Sequence, residues 1–265
     1  MAAVTARPKA SLLRWDGPVV LGATGIVSIL AIWQILASTG LVNPVVASSP
    51  ARVAAEFGPL WASGQLTSAL AASGTEFFIA LVISLALGIA FGLVMYASRI
   101  AEYALDPIVW FIYSAPIVTL YPLFIIWFGL GAPAAIATAV LLAFVPVAIN
   151  TKAGLESTDR LLVRAARSFG ASDVFVIWHV VVPYSIPLIM AGIRLAVGRV
   201  IIGVIVGEIF GANRGFGYLI SYYGSSLKTT DVLVALCVLV LAGIVITQAV
   251  RILEEWCSRW RSQNI

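Results

Sequence analysis

The sequence predicts an all-α integral membrane protein of six transmembrane helices, and three observations carry that prediction. Hydrophobic residues make up 61% of the 265 positions and charged residues only 11%, with a mean hydropathy of +1.04. A soluble domain of this size needs far more charge to cover its surface. The polar residues are clustered, and they leave apolar runs of roughly 18–24 residues, each long enough to cross about 30 Å of hydrocarbon. No run alternates with period two. The spans are therefore helices, whose backbone hydrogen bonds close within the segment, and not strands of a barrel.

The opening stretch, MAAVTARPKASLLRWDG, carries Arg7, Lys9 and Arg14 ahead of an apolar run at 18–39. That run is longer than the apolar region of a cleavable signal peptide, so it reads as a retained first span with the basic tail 1–17 inside. Segment 40–73 is external, with a turn at Ser49-Pro50 followed by an amphipathic surface helix. The remaining spans fall at 74–97, 107–128, 132–150, 184–210 and 232–250. The loops between them are a short external turn near Gly131–Pro133, an inside loop 151–183 and an external loop 211–231. The tail 251–265 returns to the cytoplasm, and 18–250 reads as one domain without internal repeats. Charge placement agrees with this topology. Inside segments hold eleven of the 16 basic residues, and outside segments hold only Arg52, Arg214 and Lys228.

GIAFG (88–92) and GVIVG (203–207) lie in apolar runs and read as sites of close helix packing. The third span places Pro116 and Pro122 in its interior, where each removes a backbone hydrogen bond and kinks the helix. Such breaks serve either packing or a translocation path. Tyr113 and Tyr121, beside the prolines, are the aromatic candidates for that path. The fifth span contains Arg194, Arg199 and Glu208, and charges there face a cavity or a partner by default. Arg199 and Glu208 are nine positions apart and point to opposite faces, so they cannot pair. Arg194 is near enough to the cytoplasmic end to snorkel. Glu208 fits either the path or a structural role holding the following GANRGFG segment.

Several chemistries are excluded. The sequence has no paired carboxylates at catalytic spacing, no nucleophile with a base, no phosphate-binding loop and no dinucleotide fingerprint. Cys237 and Cys257 would lie about 30 Å apart along one helix, too far for a disulfide. The single His179 has no Cys or His neighbour, so no metal site is expected. The basic residues form no continuous patch, which argues against a nucleic-acid partner. Any energy-coupling chemistry must come from another subunit.

The inside loop is more structured than a basic loop needs to be. In RLLVRAARSFG, Arg160, Arg164 and Arg167 share one helical face, while Leu161, Leu162, Ala165 and Phe169 form the other. Gly170 is placed to end this helix in a left-handed cap, and Ser172 to cap a second helix, DVFVIWHVVV, with Asp173 in its first turn. Pro183 is expected to end that helix at the mouth of the fifth span. Small side chains at Ala165 and Ala166 would let a partner approach closely.

This pattern resembles the cytoplasmic motif of permease subunits of ATP-binding-cassette importers: Glu-Ala-Ala, three residues, Gly, nine residues, then Ile-x-Leu-Pro. Here Arg164, Ala165 and Ala166 are followed at the same spacing by Gly170 and by Val180, Val181, Val182 and Pro183. SSPARV (48–53), LDPIVW (105–110), PLFIIWFGLG (122–131), FVPVAINTKAG (144–154), GIRLAVGRVIIGVIVGE (192–208) and GFGYLI (215–220) are similar to the sulfonate, taurine and nitrate branch of that family. The resemblance implies the type I importer transmembrane fold. It implies that Arg164, Ala165, Ala166, Arg167, Gly170, Val182 and Pro183 belong to coupling helices docking on a separate ATPase. It also implies two ATPase copies that bind ATP and Mg, a second permease copy, an external solute-binding protein and a bacterial inner-membrane location. This chain itself would need no cofactor. The expected solute is small and anionic: a sulfonate, taurine, nitrate, bicarbonate or an aromatic acid. An ion-gradient-driven carrier or channel is the alternative, and it would need an intramembrane carboxylate relay. Two departures stand out: Arg164 reverses the motif's acidic charge, and Glu76 stands where the branch usually has a basic residue.

Overall fold

The computed structural model describes residues 17–39 and 48–258. The basic residues of the opening tail and the final Arg259 and Arg261 lie outside them. The elements are α1 Pro18–Ser38, α2 Pro50–Ala62, α3 Gln65–Ala97, α4 Arg99–Ser114, α5 Tyr121–Phe128 and α6 Ala132–Glu156. They continue with α7 Arg160–Ser168, α8 Asp173–Val176, α9 Val182–Gly211, α10 Phe216–Ser225 and α11 Thr229–Ser258. Five helical stretches are long and apolar enough to cross a membrane, and there are six if the bent pair α4–α5 counts as one crossing.

The centre of the bundle is α6, gripped on two sides by glycine-bearing helices. A Cβ on Gly88 or Gly92 of α3 would stand 2.5 Å from the Cβ of Val147 or Thr151. On the other side, Gly203 and Gly207 of α9 meet Ala139 and Ala135, and a Cβ there would fall within 2.5 Å of their Cα atoms. Both predicted small-residue pairs thus press backbone against the same helix. In lipid, where burial supplies little drive between helices, such contact is the main source of association. Phe77, Ala80, Ala143, Ala196 and Val200 complete the buried core between α3, α6 and α9.

Four segments depart from the sequence reading. The third span is not one kinked helix over 107–128. It is two helices joined through a 3-10 turn at Ile117–Leu120 and bent by 88°. Pro116 stands just before that turn and Pro122 in the first turn of α5, so both prolines sit where a missing N–H costs nothing. The second span begins at Gln65, nine residues earlier than expected. Segment 211–231, expected to be an external loop, is not a loop. It holds α10, whose Phe216, Leu219 and Tyr223 are buried with Leu60, Leu66 and Val234 of α2, α3 and α11. Finally, Pro183 does not end a helix. A π turn at Ile177–Val181 joins α8 to α9 without a break, and Pro183 falls in the first turn of α9, where the irregular turn before it makes room for the ring.

The surface helix predicted after Ser49-Pro50 is present as α2, with the Ser49 hydroxyl accepting from the Arg52 N–H. The Trp33 indole N–H of α1 donates to the Ser48 carbonyl at 2.9 Å. Otherwise α1 lies largely exposed along the outside.

Candidate functional site

The segment between α6 and α9 folds as a compact knob, and local chemistry explains each of its turns. Asp159 caps α7 by accepting from the Leu161 N–H at 2.8 Å. Sequence reasoning passed over this cap, although Thr158-Asp159 before a periodic helix is the usual signature. The chain reverses at Gly170, which adopts φ +82° as predicted, and the Ala171 N–H returns to the Ala166 carbonyl at 3.2 Å. Ser172 then caps α8 through the Phe175 N–H, also as predicted. Arg167 Nη2 and Asp173 Oδ1, 2.8 Å apart, bridge the two helices.

The knob seats on the membrane body through Leu155, Val176 and Val181, with Val163, Ala166, Leu93 and Tyr96 packed around them. Of the two alanines, Ala166 is therefore part of the seat, while Ala165 faces outward. The outward side is apolar to an extent that solvent alone does not explain. Phe169 is 92% exposed, and Leu161, Val174 and Trp178 are each more than half exposed. Arg160 and Arg164 lie exposed beside them, and the Arg164 Nε–H reaches only back to the Arg160 carbonyl. Val182 and Pro183 are half-buried at the start of α9, where the knob continues into that span.

The membrane candidates separate into two groups. Glu208 is fully buried near the C-terminal end of α9 and is held by two groups. Its Oε1 accepts from the Ser73 hydroxyl at 2.6 Å, and its Oε2 accepts from the Gly217 N–H at 2.7 Å. Ser73 in turn accepts from the Phe216 N–H at 2.9 Å. The carboxylate and Ser73 thus satisfy two N–H groups opening α10, and Gly215 leaves the space the carboxylate occupies. This is the structural alternative for Glu208. Ser73 was not singled out from the sequence, because its partner lies 135 residues away. Tyr121 joins this outer region: it is buried and donates to the Gly207 carbonyl at 2.7 Å. Glu76 is also buried, one turn along α3 from Ser73, and one of its carboxylate oxygens has no hydrogen-bond partner among the described residues.

The second group faces outward. Arg199 and Tyr113 are both exposed, and the guanidinium lies over the tyrosine ring, 5.9 Å from its centroid. Pro116 and Pro122 are exposed on the same broken crossing. Arg194, expected to snorkel, instead pairs with Glu254 of α11. Lys152 near the inner end of α6 bonds Glu102 of α4 at 2.8 Å and reaches Asp106.

Comparison with known proteins fits this geometry. Residues 67–261 match the family described as "Binding-protein-dependent transport system inner membrane component". The taurine transport system permease protein TauC of Escherichia coli is 30% identical over 260 residues, covering 95% of this chain and 94% of that protein. An aliphatic sulfonates transport permease protein of the same organism, SsuC, is 36% identical over 88% of this chain and 89% of its own length. The formylaminopyrimidine transport permease protein ThiX of Halalkalibacterium halodurans is 31% identical over 89% of this chain. Among solved structures, an inward-facing form of the MetNI methionine ABC transporter superposes with a TM-score of 0.58 at 20% identity, over 72% of this chain and 98% of that one. An amino acid ABC transporter gives 0.56 at 19% identity over 78% of this chain. These structures share the type I importer membrane fold with it. The chain belongs to the family of binding-protein-dependent transport system inner-membrane components and is a permease subunit of an ABC importer.

Proposed function

We propose that this permease works as a homodimer with two cytoplasmic ATPase copies and carries a small anionic solute inward from an external binding protein. Its termini lie in the cytoplasm, as the basic tails and inside loop suggest. ATP and Mg are held by the ATPase, and this chain contributes no catalytic group. The solute belongs to the class of sulfonates, taurine, nitrate, bicarbonate or aromatic acids.

The observation that carries this reading is the knob 160–181. Its caps and cross-bridge hold it rigid, its outer face displays Leu161, Phe169, Val174 and Trp178, and it runs without a break into α9. A large exposed apolar patch on a rigid support marks an interaction surface. Here the surface would take the docking groove of an ATPase, and its motion would pass to the span as a rigid lever. Arg160 and Arg164 on the same knob favour a groove with acidic or neutral groups opposite them.

The test is purification of the permease co-expressed with its ATPase and reconstitution with the binding protein in liposomes. The expected result is a stoichiometric ATPase and uptake that requires ATP. Uptake that runs on an ion gradient without ATP, from a permease that retains no ATPase, would overturn the proposal.

A further inference from the structure

Arg199 lies near the middle of α9 and, among the described residues, has no counter-charge. Gly203 of α9 abuts Ala139 of α6, and Gly192 abuts Pro146 and Val147. Arg199 lies between these two contacts, level with the middle of α6. The cleft it lines agrees, since Leu141, Leu142 and Val145 of α6 form one wall, with Tyr113 and Ala115 of the broken crossing opposite.

Four carboxylates are committed elsewhere, and Glu76, buried on α3 with one oxygen unpartnered, forms no ion pair with Arg199. Glu208 is held by Ser73 and Gly217, Glu254 by Arg194, and Glu102 and Asp106 by Lys152. Among the described residues Arg199 has no ion-pair partner, and its contact is with the Tyr113 ring. A charged arginine at the centre of a helix costs about 2.5–3.5 kcal/mol to insert even on the mildest scale, which disfavours lipid as its neighbour. Snorkelling is excluded by distance. Arg199 is twelve residues, about 18 Å, from the outer end of α9 and farther from Pro183.

We propose that Arg199, steadied by the Tyr113 ring, is an anion-selecting site in a water-filled path that crosses the membrane along this face. A cation–π contact does not use up the guanidinium N–H groups, and among the described residues none of them is engaged in an ion pair. Those groups form a planar fork suited to two oxygens of one oxyanion, a sulfonate or carboxylate, where a lysine would offer only a point charge. The site deepens the importer reading by naming what the path selects, but its existence does not depend on the ATPase.

The probes are two water-soluble thiol reagents, the anionic 2-sulfonatoethyl and the cationic 2-trimethylammonioethyl methanethiosulfonates. They are applied to the purified full-length permease, with its partners where these co-purify, in which Cys237 and Cys257 are serine. A reporter cysteine is placed by Ala115→Cys, with Leu142→Cys as a second position on the same cleft. Both reagents should label the reporter. The anionic-to-cationic rate ratio should fall at least ~10-fold in Arg199→Gln and be largely kept in Arg199→Lys, as a single nearby charge requires. No labelling at either position, or a ratio indifferent to Arg199→Gln, would overturn the proposal. Failure of ATP-dependent uptake in the unlabelled complex would count against the importer reading alone and leave this measurement standing.

Discussion

At its outer end α9 buries a carboxylate, Glu208, and surrounds it with Ser73 and the first N–H groups of α10. At its inner end the same continuous helix begins in a knob whose ion pair, Arg167–Asp173, stands in open solvent with side chains 60% and 79% exposed. The outer network is complete within the chain, with its donors and acceptor matched. The inner surface is incomplete, with apolar groups and cations displayed and nothing among the described residues covering them. A permease needs both. The outer end must hold its shape so that movement imposed on the inner end reaches the path and is not absorbed on the way.

That contrast can be broken first at Glu208. Glu208→Ala removes the acceptor for the Ser73 hydroxyl and the Gly217 N–H in a site without water access. Leaving two buried donors unpaired costs about 1–3 kcal/mol each, so a loss of roughly 2–6 kcal/mol is expected, read as a large drop in thermal unfolding temperature in detergent. Glu208→Gln should lose much less, because its carbonyl can still accept from Gly217 and its amide can donate to Ser73. Equal losses in the two variants would mean that the network does not hold the outer end.

Arg164→Glu is the corresponding test of the inner end and restores the charge the importer motif usually carries. Arg164 is exposed and makes only a weak contact with its own helix, so stability should not change. Assembly with the ATPase should weaken about tenfold, the scale of one misplaced charge at an interface. Reversing an acidic group in the ATPase groove should recover it. Unchanged binding in the single variant would show that this position carries little of the docking.

The two ends also differ in how far the sequence reveals them. The knob was legible because its determinants are local: Ser172 caps a helix three residues on, and Gly170 adopts the backbone only glycine takes easily. The glycine pairs at 88–92 and 203–207 were legible as packing sites, but not that both grip α6. The outer end was hidden because it depends on distant partners. GFGYLISYYGSS reads as loop until α2, α3 and α11 are known to cover it and Ser73 is known to meet Phe216. The right angle in the third crossing was hidden for another reason. Two prolines six residues apart predict departures from a helix, but not the size of the turn, which depends on distant packing such as Tyr121 on Gly207. At Pro183, a π turn absorbed the constraint that was expected to stop the helix.

The smallest expected effect sharpens the comparison most, because it separates rigidity from stability within the knob. Arg167→Ala removes the bridge between α7 and α8 but leaves the Gly170 turn and the Ser172 cap in place. Exposed pairs contribute only about 0.2–1 kcal/mol, so the global unfolding transition should not move. Amide exchange across residues 170–176 should quicken by roughly twofold to fivefold, the kinetic image of that same energy in a local opening. Ser172→Ala should quicken it further, since an N-cap contributes about 1 kcal/mol. If the knob works as a lever, both variants keep ATPase binding while losing uptake per ATP hydrolysed in that order. Loss of binding in step with exchange would instead make the knob a docking patch whose stiffness carries no signal.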